Sequence, residues 1–229
     1  MFDDHRLFLR QFVENFRTTG SVAPSSRWLA RSLARFVPGE PVASLDRGGR
    51  RILEVGPGTG AVTRWIIPRL SADDTLDLVE MNGEFVARLR QRLAADPAFR
   101  PAAPRVRVLH QAVEDLEPAG GYDAVVSGLP LNNFSGELVE RLLGALVGLL
   151  APGGTLSFFE YVAVRPAKLL YSRGEECARL RAISGHLASL LERHEFHREC
   201  VVRNFPPAWV HHVRVTQPAA SEQAAAARV

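Results

Sequence analysis

The chain has 229 residues, 46% of them hydrophobic, which suits one well-buried domain with a small appendage and argues against a second full domain. Its net charge is +3, and residues 1–36, with six arginines and three acidic residues, account for the whole excess. An attraction to an anionic partner is therefore expected in that segment. Two cysteines, Cys177 and Cys200, exclude a disulfide framework, and no apolar run reaches the roughly eighteen residues of a membrane span, so we expect a cytoplasmic protein.

The first predicted element is an amphipathic helix near the N-terminus. Phe8, Phe12 and Phe16 recur one turn apart, and arginines at positions 6, 10 and 17 flank the arc that the rings share. Such a helix suits a lipid headgroup layer, and it equally suits packing on the rest of the protein. We expect residues 1–37 to form basic amphipathic helices that contact an anionic membrane or cover the domain. A second basic stripe at helical spacing comprises Arg27, Arg31 and Arg35.

A glycine-rich turn follows the first predicted strand, Arg51–Val55. Residues 53–60 read Leu-Glu-Val-Gly-Pro-Gly-Thr-Gly, with Gly56, Gly58 and Gly60 at every second position. A chain that leaves a buried strand and turns at once into a helix can bring bare backbone N–H groups against a ligand only where no Cβ intrudes. The turn therefore predicts a nucleotide-like cofactor.

Two cofactor classes fit this turn. Gly56, Gly58 and Ala61 satisfy the spacing of a dinucleotide site, but the phosphates of a dinucleotide would be repelled by Glu54. The acid before the first glycine and the third glycine at position 60 resemble class I S-adenosylmethionine methyltransferases, in which a carboxylate at the strand tip can pair with the ammonium of the methionine part. The resemblance implies S-adenosylmethionine as cofactor and S-adenosylhomocysteine as product.

The next predicted strand, residues 75–80, ends in Glu80, and Met81 follows it. Glu80 lies twenty positions after Gly60, where an acid can accept hydrogen bonds from a ribose. This supports binding of a nucleoside by Glu80 and Met81 and does not distinguish the two cofactors.

Strands and helices alternate through the rest of the chain, which predicts a parallel α/β sheet. The later predicted strands are residues 106–111, 122–127, 155–161, 196–204 and 209–215. The predicted helices are residues 61–70, 84–95, 136–150, which ends at an Ala-Pro-Gly-Gly stop signal, and 174–194. We expect a Rossmann-like class I methyltransferase domain over residues 38–216, with a seven-stranded, mostly parallel sheet, an antiparallel last strand and helices on both faces. Residues 217–229 are expected to be a disordered tail.

The acceptor is expected at the carboxyl end of the strand at 122–127, where residues 127–134 read Ser-Gly-Leu-Pro-Leu-Asn-Asn-Phe. Ribosomal RNA adenine-N6 dimethylases place Asn-Pro-Pro-Tyr here, and this chain does not. Its segment instead resembles the soluble bacterial phospholipid N-methyltransferases, a likeness that also covers residues 20–26 and 204–209 and spans about residues 8–215.

That resemblance implies methyl transfer from S-adenosylmethionine to the primary amine of a membrane aminolipid such as phosphatidylethanolamine. It implies a peripheral enzyme on the inner face of the cell membrane, attached through its first helix, with no nucleic acid as partner. Ornithine lipid and ribosomal RNA adenine remain alternative substrates, and a catalytically silent lipid- or nucleotide-binding protein remains an alternative of another class.

Candidate site residues follow from these placements. Ser127 and Gly128 are expected beside the cofactor, and Asn132 or Asn133 at the head group of the acceptor. Tyr161, at the end of the strand at 155–161, is expected to orient the amine, and Glu160 is the weaker candidate because the pleat turns it the opposite way. At the adenine, where the family often has Asp, this chain has Gln111 and Ala112, so recognition is expected from Gln111, from backbone or from Glu114. The stretch 165–185 matches the family least and is expected to cover the acceptor pocket.

No metal site is predicted. The spacing of His194 and His197 is not that of a zinc-binding helix, and no cysteine cluster accompanies them. His211 and His212 are neighbours on one strand and point to opposite faces, so they would not chelate together.

Overall fold

The computed structural model describes residues 25–37, 49–117, 121–131, 134, 136–162 and 188–215. Seven strands form one sheet in the order β3-β2-β1-β4-β5-β7-β6, in which β7 runs antiparallel to both of its neighbours and the other pairings are parallel. The predicted fold class is confirmed. The strands are β1 (Arg51–Val55), β2 (Thr75–Glu80), β3 (Val106–His110), β4 (Tyr122–Pro130), β5 (Leu150–Tyr161), β6 (Glu195–Val201) and β7 (Ala208–Arg214).

Helices cover both faces of the sheet, as predicted. They are α1 (Arg27–Leu33), α2 (Thr63–Ile66, continued by a 3₁₀ turn Ile67–Arg69), α3 (Gly83–Ala95) and α4 (Gly136–Gly148), and residues 188–194 are also helical. Successive strand residues face opposite sides, so Ile52 packs with α1, α2 and α3 whereas Leu53 packs with α4. Burial on both faces explains why the central strands are almost continuously apolar.

Three predicted boundaries differ from the structure by three residues or more. β5 starts at Leu150 rather than Thr155, because the Ala-Pro-Gly-Gly signal lies inside the strand as an irregularity: Tyr122 pairs with Leu150 and Ala124 with Thr155. β4 continues three residues beyond Ser127, through a second register shift. The strand predicted over 196–204 ends at Val201, because the turn to β7 begins there.

The carboxyl ends of the parallel strands meet at one edge of the sheet, and the turn between β6 and β7 reaches the same edge. Tyr161 at the end of β5 pairs with Ala208 at the start of β7, and the Val162 N–H donates to the Pro207 carbonyl at 2.9 Å. The Ser26 N–H at the start of α1 donates to Asn204 Oδ1 at 3.3 Å. This edge therefore gathers strand ends, the turn at 202–207 and the beginning of α1.

Several predicted features lie outside the described residues. They are the phenylalanine-rich helix before residue 25, Asn132, the whole stretch 165–185 and the tail 217–229. The described part of the predicted N-terminal segment, α1, packs on the sheet through Leu29 and Leu33 and leaves Arg27, Arg31 and Arg35 exposed.

Candidate active site

The glycine turn begins where β1 ends. The Gly56 N–H donates to the Val79 carbonyl of β2 at 2.9 Å, and the Gly60 N–H donates to the Pro57 carbonyl at 2.8 Å. Gly56, Gly58 and Gly60 have φ values of 68°, 55° and 84°, in the left-handed region that L-residues with a side chain rarely adopt. The turn is thus a fixed, hydrogen-bonded structure that only this glycine spacing allows.

Gly58 and Gly60 serve different purposes. A Cβ at Gly58 would meet no atom within 4 Å, and Gly58 lines a cavity at this edge of the sheet. A Cβ at Gly60 would lie 3.1 Å from the ring of Phe99 and 3.2 Å from Arg92. Gly58 therefore keeps space for a ligand, whereas Gly60 allows the turn to pack against α3 and the residues that follow it.

Arg92 of α3 holds the turn from behind. Its guanidinium donates to the Thr59 carbonyl at 2.7 Å, pairs with Asp96 at 2.8 Å and stacks 3.8 Å from the ring centroid of Phe99. The sequence pattern did not indicate this role. The spacing of Arg92 and Asp96 is visible as an i,i+4 pair, but the contact with Thr59 spans 33 residues and depends on the fold.

The Glu80 carboxylate joins the glycine turn to the start of α3. It accepts hydrogen bonds from the Gly58 N–H at 3.0 Å and from the Asn82 N–H at 2.9 Å. Burial raises the pKa of Glu80, and these backbone hydrogen bonds oppose the rise. Asn82 in turn caps α3 by accepting from the Glu84 and Phe85 N–H groups. The carboxylate is therefore fixed at the cavity wall.

Glu54 is the most unusual group at this edge. Its side chain is 0% exposed, and among the described residues neither carboxyl oxygen has a hydrogen-bond partner. Burial raises the pKa of Glu54 to about 8. Thr63, at the start of α2, lies close enough to lower this pKa in part, but its groups do not reach hydrogen-bond geometry with the carboxyl. A buried carboxyl without a partner is costly, and a cation placed beside it would remove that cost.

A cavity of about 120 Å³ lies between the glycine turn, the end of β2, the segment after β3 and the end of β4. Six of the residues predicted to bind the cofactor line it: Gly56, Gly58, Glu80, Met81, Gln111 and Gly128. Its other described lining residues are Glu114 and the apolar side chains of Val55, Val79, Phe85, Val113, Leu129, Pro130, Phe134 and Leu142. The apolar walls, which the sequence analysis did not assign, suit a flat base.

The remaining residues predicted to bind the cofactor are not among those that line the cavity. Glu54 is buried in the sheet, Gly60 packs on Phe99, and Ala112 is buried beside Gln111. Ser127 is fully buried and its Oγ accepts a hydrogen bond from the Leu129 N–H at 3.3 Å, which stabilises the irregular end of β4.

Tyr161 is half-buried on the opposite side of the sheet from the Phe158 cluster. Its ring packs edge to face on Phe159, with centroids 5.3 Å apart, and burial raises the pKa of the phenol. Glu160 is buried and faces the other way, as the pleat predicts. The structure thus brings the cofactor residues together and does not bring Tyr161 to the cavity that they line.

The arrangement fits S-adenosylmethionine. A buried carboxyl without a partner suits its ammonium, the cleared space at Gly58 suits close approach to the backbone, and the fixed carboxylate of Glu80 suits its ribose hydroxyls.

The sequence model of the methyltransferase domain family matches residues 52–154, from β1 into β5. The ornithine lipid N-methyltransferase of Singulisphaera acidiphila is 35% identical over 156 residues, which cover 67% of this chain and 76% of that protein. The chain belongs to the class I S-adenosylmethionine-dependent methyltransferases. This methyltransferase is an N-methyltransferase by its relatives, and its cofactor is S-adenosylmethionine.

Two further proteins are similar to this methyltransferase, one in sequence and one in fold. The ribosomal RNA small subunit methyltransferase A of Synechococcus sp. strain RCC307 is 38% identical over 96 residues, which cover 42% of this chain and 32% of that protein. The crystal structure of the N-methyltransferase NodS from Bradyrhizobium japonicum WM9 shares the fold with a TM-score of 0.57 at 18% identity, over 82% of this chain and 94% of that chain. Its complex with S-adenosyl-L-homocysteine gives a TM-score of 0.53 over 82% of this chain and 84% of that chain.

His211 and His212 of β7 each form a side-chain contact within the last strands. His211 pairs with Glu195 at 2.6 Å, and His212 hydrogen-bonds Ser157 at 2.8 Å, where burial lowers its pKa to about 3. Across the described ranges, no group of three or more potential metal ligands comes together, and no helix has the length and apolarity to cross a bilayer.

Proposed function

We propose that this enzyme transfers methyl groups from S-adenosylmethionine to the primary amine of a membrane aminolipid, and that it acts as a peripheral protein at the membrane surface. The observation that carries the proposal is the extent of the likeness to the ornithine lipid N-methyltransferase, which covers 67% of this chain and 76% of that relative. The ribosomal RNA methyltransferase matches over 42% of the chain. The likeness to the lipid enzyme thus extends over more of the chain than the likeness to the ribosomal RNA enzyme.

The cofactor residues act by position and charge. Glu54 would pair with the ammonium of the methionine part, Glu80 would accept from the ribose, and the apolar walls around Met81 would enclose the base. When bound, S-adenosylmethionine supplies an electrophilic methyl group on a sulfonium. Methyl transfer then needs an amine lone pair in line with the S–CH₃ bond, so positioning does most of the work.

The acceptor amine must lose a proton before it can attack. Leu129, Pro130 and Phe134 form an apolar surface at the end of β4, next to the glycine turn. An ammonium that enters such a surface loses hydration, which lowers its pKa and favours the neutral, nucleophilic form. In this proposal the wall at the end of β4 activates the amine, and water or buffer accepts the proton.

We propose that Tyr161, which lies at the same edge of the sheet but outside the cofactor cavity, orients the amine together with Asn132, while Ser127 supports the end of β4. Because burial raises the pKa of the Tyr161 phenol, the group is neutral at physiological pH. It can offer a hydroxyl or a ring face to the amine and is not a phenolate base. The ring face would also hold the cationic nitrogen that successive methylation produces.

The test is a transfer assay with radiolabelled S-adenosylmethionine and three acceptors in parallel: vesicles with phosphatidylethanolamine, vesicles with ornithine lipid, and ribosomal RNA. We expect label in lipid, and the lipid that carries it identifies the substrate. Gly58→Val protein, prepared in the same way, controls for a contaminating methylase. Label in RNA alone would refute the proposal.

A further inference from the structure

A second, larger pocket lies between α1 and the last strands. It has a volume of about 520 Å³, and its lining is rich in arginine. The described lining residues are Trp28, Arg31, Ser32, Arg35, Arg69, Glu199, Cys200, Val201, Val202 and Arg203. We call these residues the arginine pocket.

Most of the positive charge in the arginine pocket is not neutralised. Glu199 is the acidic residue among the described lining residues. Its carboxylate accepts a hydrogen bond from the Ser32 hydroxyl and pairs with Arg35, whose guanidinium lies 3.2 Å away. Among the described residues, Arg31, Arg69 and Arg203 form no ion pair with any carboxylate. Within the described part of the chain, three guanidinium groups of the pocket therefore lack a matching negative charge.

Two contacts keep the arginines in place. Arg69 donates to the Trp65 carbonyl, and burial together with the charge of Arg31 lowers its pKa without removing its charge. Arg203 stacks 4.7 Å from the ring centroid of Trp28, which Arg27 also approaches at 4.6 Å. Guanidinium groups held close together against their mutual repulsion are suited to an anion with several oxygens, such as a phosphate.

Two apolar side chains close to Arg203 in the sequence are exposed to solvent. On the turn at 202–207, Phe205 is 95% exposed and Val202 is 71% exposed, on either side of Arg203. Exposed aromatic and aliphatic groups next to arginines are the pattern of a surface that enters the boundary between head groups and acyl chains. An RNA surface needs the arginines but gives no role to an exposed valine.

The position of this turn fits the same interpretation. It follows β6 and leads into Ala208, which pairs with Tyr161 at the end of β5. The turn therefore lies at the edge of the sheet that carries the cofactor cavity. A membrane that contacted Phe205 would face the edge at which methyl transfer takes place.

We propose that the arginine pocket binds the phosphate of an anionic phospholipid while Phe205 and Val202 enter the bilayer interface, so that the enzyme docks with its catalytic edge towards the lipid. The inference rests on the proposed action at a membrane, and it names the residues of the contact. It is separate from the predicted helix before residue 25.

The test is partition of the full chain onto vesicles of phosphatidylcholine alone and of phosphatidylcholine with phosphatidylglycerol. The variant Arg31→Gln, Arg69→Gln, Arg203→Gln should lose about tenfold or more of its partition onto anionic vesicles, since each arginine near such a surface contributes on the order of 1 kcal/mol. Phe205→Ser should weaken partition severalfold. The matched control Arg88→Gln, Arg90→Gln, Arg100→Gln removes the same charge from exposed positions on and after α3 and should bind like wild type.

Affinity for S-adenosylhomocysteine, measured by calorimetry, should be unchanged in the pocket variant and shows that it is folded. Cys200 supplies a direct readout, because it is exposed and lines the pocket. In a Cys177→Ser background, anionic vesicles should slow modification of Cys200 by a maleimide. Equal partition of the pocket variant and its control would overturn the proposal, as would protection of Cys200 by inorganic phosphate or RNA but not by vesicles.

These vesicles contain no primary amine, so the result does not depend on methyl transfer. Charge-dependent docking without label in any lipid would leave the docking site and refute the proposed function. Methylation of aminolipid in detergent, without docking through these residues, would do the reverse.

Discussion

The edge of the sheet at which the site lies has two halves that are built differently. The ends of β1 and β2 form the proposed cofactor half, and the ends of β4 and β5 form the proposed acceptor half. At the ends of β1 and β2, backbone hydrogen bonds fix the glycine turn and the Glu80 carboxylate before any ligand arrives. At the ends of β4 and β5, the strands run through register shifts, the cavity wall is apolar, and Tyr161 lies on the far face of the sheet from the Phe158 cluster. The difference supports the proposal that a polar frame fixed by hydrogen bonds recognises the methyl donor, whereas shape and desolvation select the acceptor.

The largest effect is expected from Gly58→Val. Its side chain would enter the cavity, because no protein atom lies near the Cβ position, so we expect affinity for S-adenosylhomocysteine to fall by more than about 100-fold in calorimetry. Retained affinity in Gly58→Val would show that the cofactor does not lie at the turn.

Gly60→Ala should lower the stability of the fold, by about 1 to 3 kcal/mol in denaturant unfolding, because its Cβ presses on Phe99 and φ is positive.

Glu54→Gln should lower affinity for S-adenosylhomocysteine by about 10- to 100-fold, the usual value of a charge-assisted hydrogen bond. In the wild type this affinity should rise with pH by up to about tenfold per unit below pH 8 and then level off, because a cation binds the ionised carboxylate and its pKa is about 8. A Gln variant with the pH profile of the wild type would place the responsible group elsewhere.

The same carboxyl should have the opposite effect on stability. Its folded pKa of about 8 lies above the ordinary value of 4.5, so its stabilising contribution is complete below pH 4.5 and is lost as pH rises towards 8. At pH 7 the loss is about 3 kcal/mol, which Glu54→Gln should recover in denaturant unfolding without cofactor. The exposed Glu117→Gln serves as control and should change nothing.

The smallest effect is expected on the acceptor side. Tyr161→Phe should lower kcat/KM for aminolipid by about twofold to tenfold if the hydroxyl orients the amine, and Tyr161→Ala should lower it further by removing the ring. Affinity for S-adenosylhomocysteine should stay at the wild-type value in both variants. A loss of cofactor affinity in either would assign Tyr161 to the fold rather than to the acceptor.

The sequence predicted the sheet because its strands follow a local pattern, and the same kind of pattern places six of the cofactor candidates around one cavity. β1 and β2 have the predicted limits, and the glycine spacing with Glu54 and Glu80 identifies the cofactor edge. The start of β5 was wrong because a Pro-Gly-Gly segment was interpreted as a helix stop, whereas pairing with β4 draws it into the strand as an irregularity. The link from Arg92 to Thr59 and the arginine pocket could not be predicted, since each joins segments that are distant in the chain.

β7 runs against its neighbours, and this has a consequence for how the scaffold can vary. In chain order, residues 202–207 reach this edge of the sheet after the strand ends that surround the cofactor cavity. Insertions or exchanges in that turn would change what stands beside β5 and leave the glycine turn in place. The scaffold can therefore diverge in the acceptors that it serves while its methyl donor stays constant.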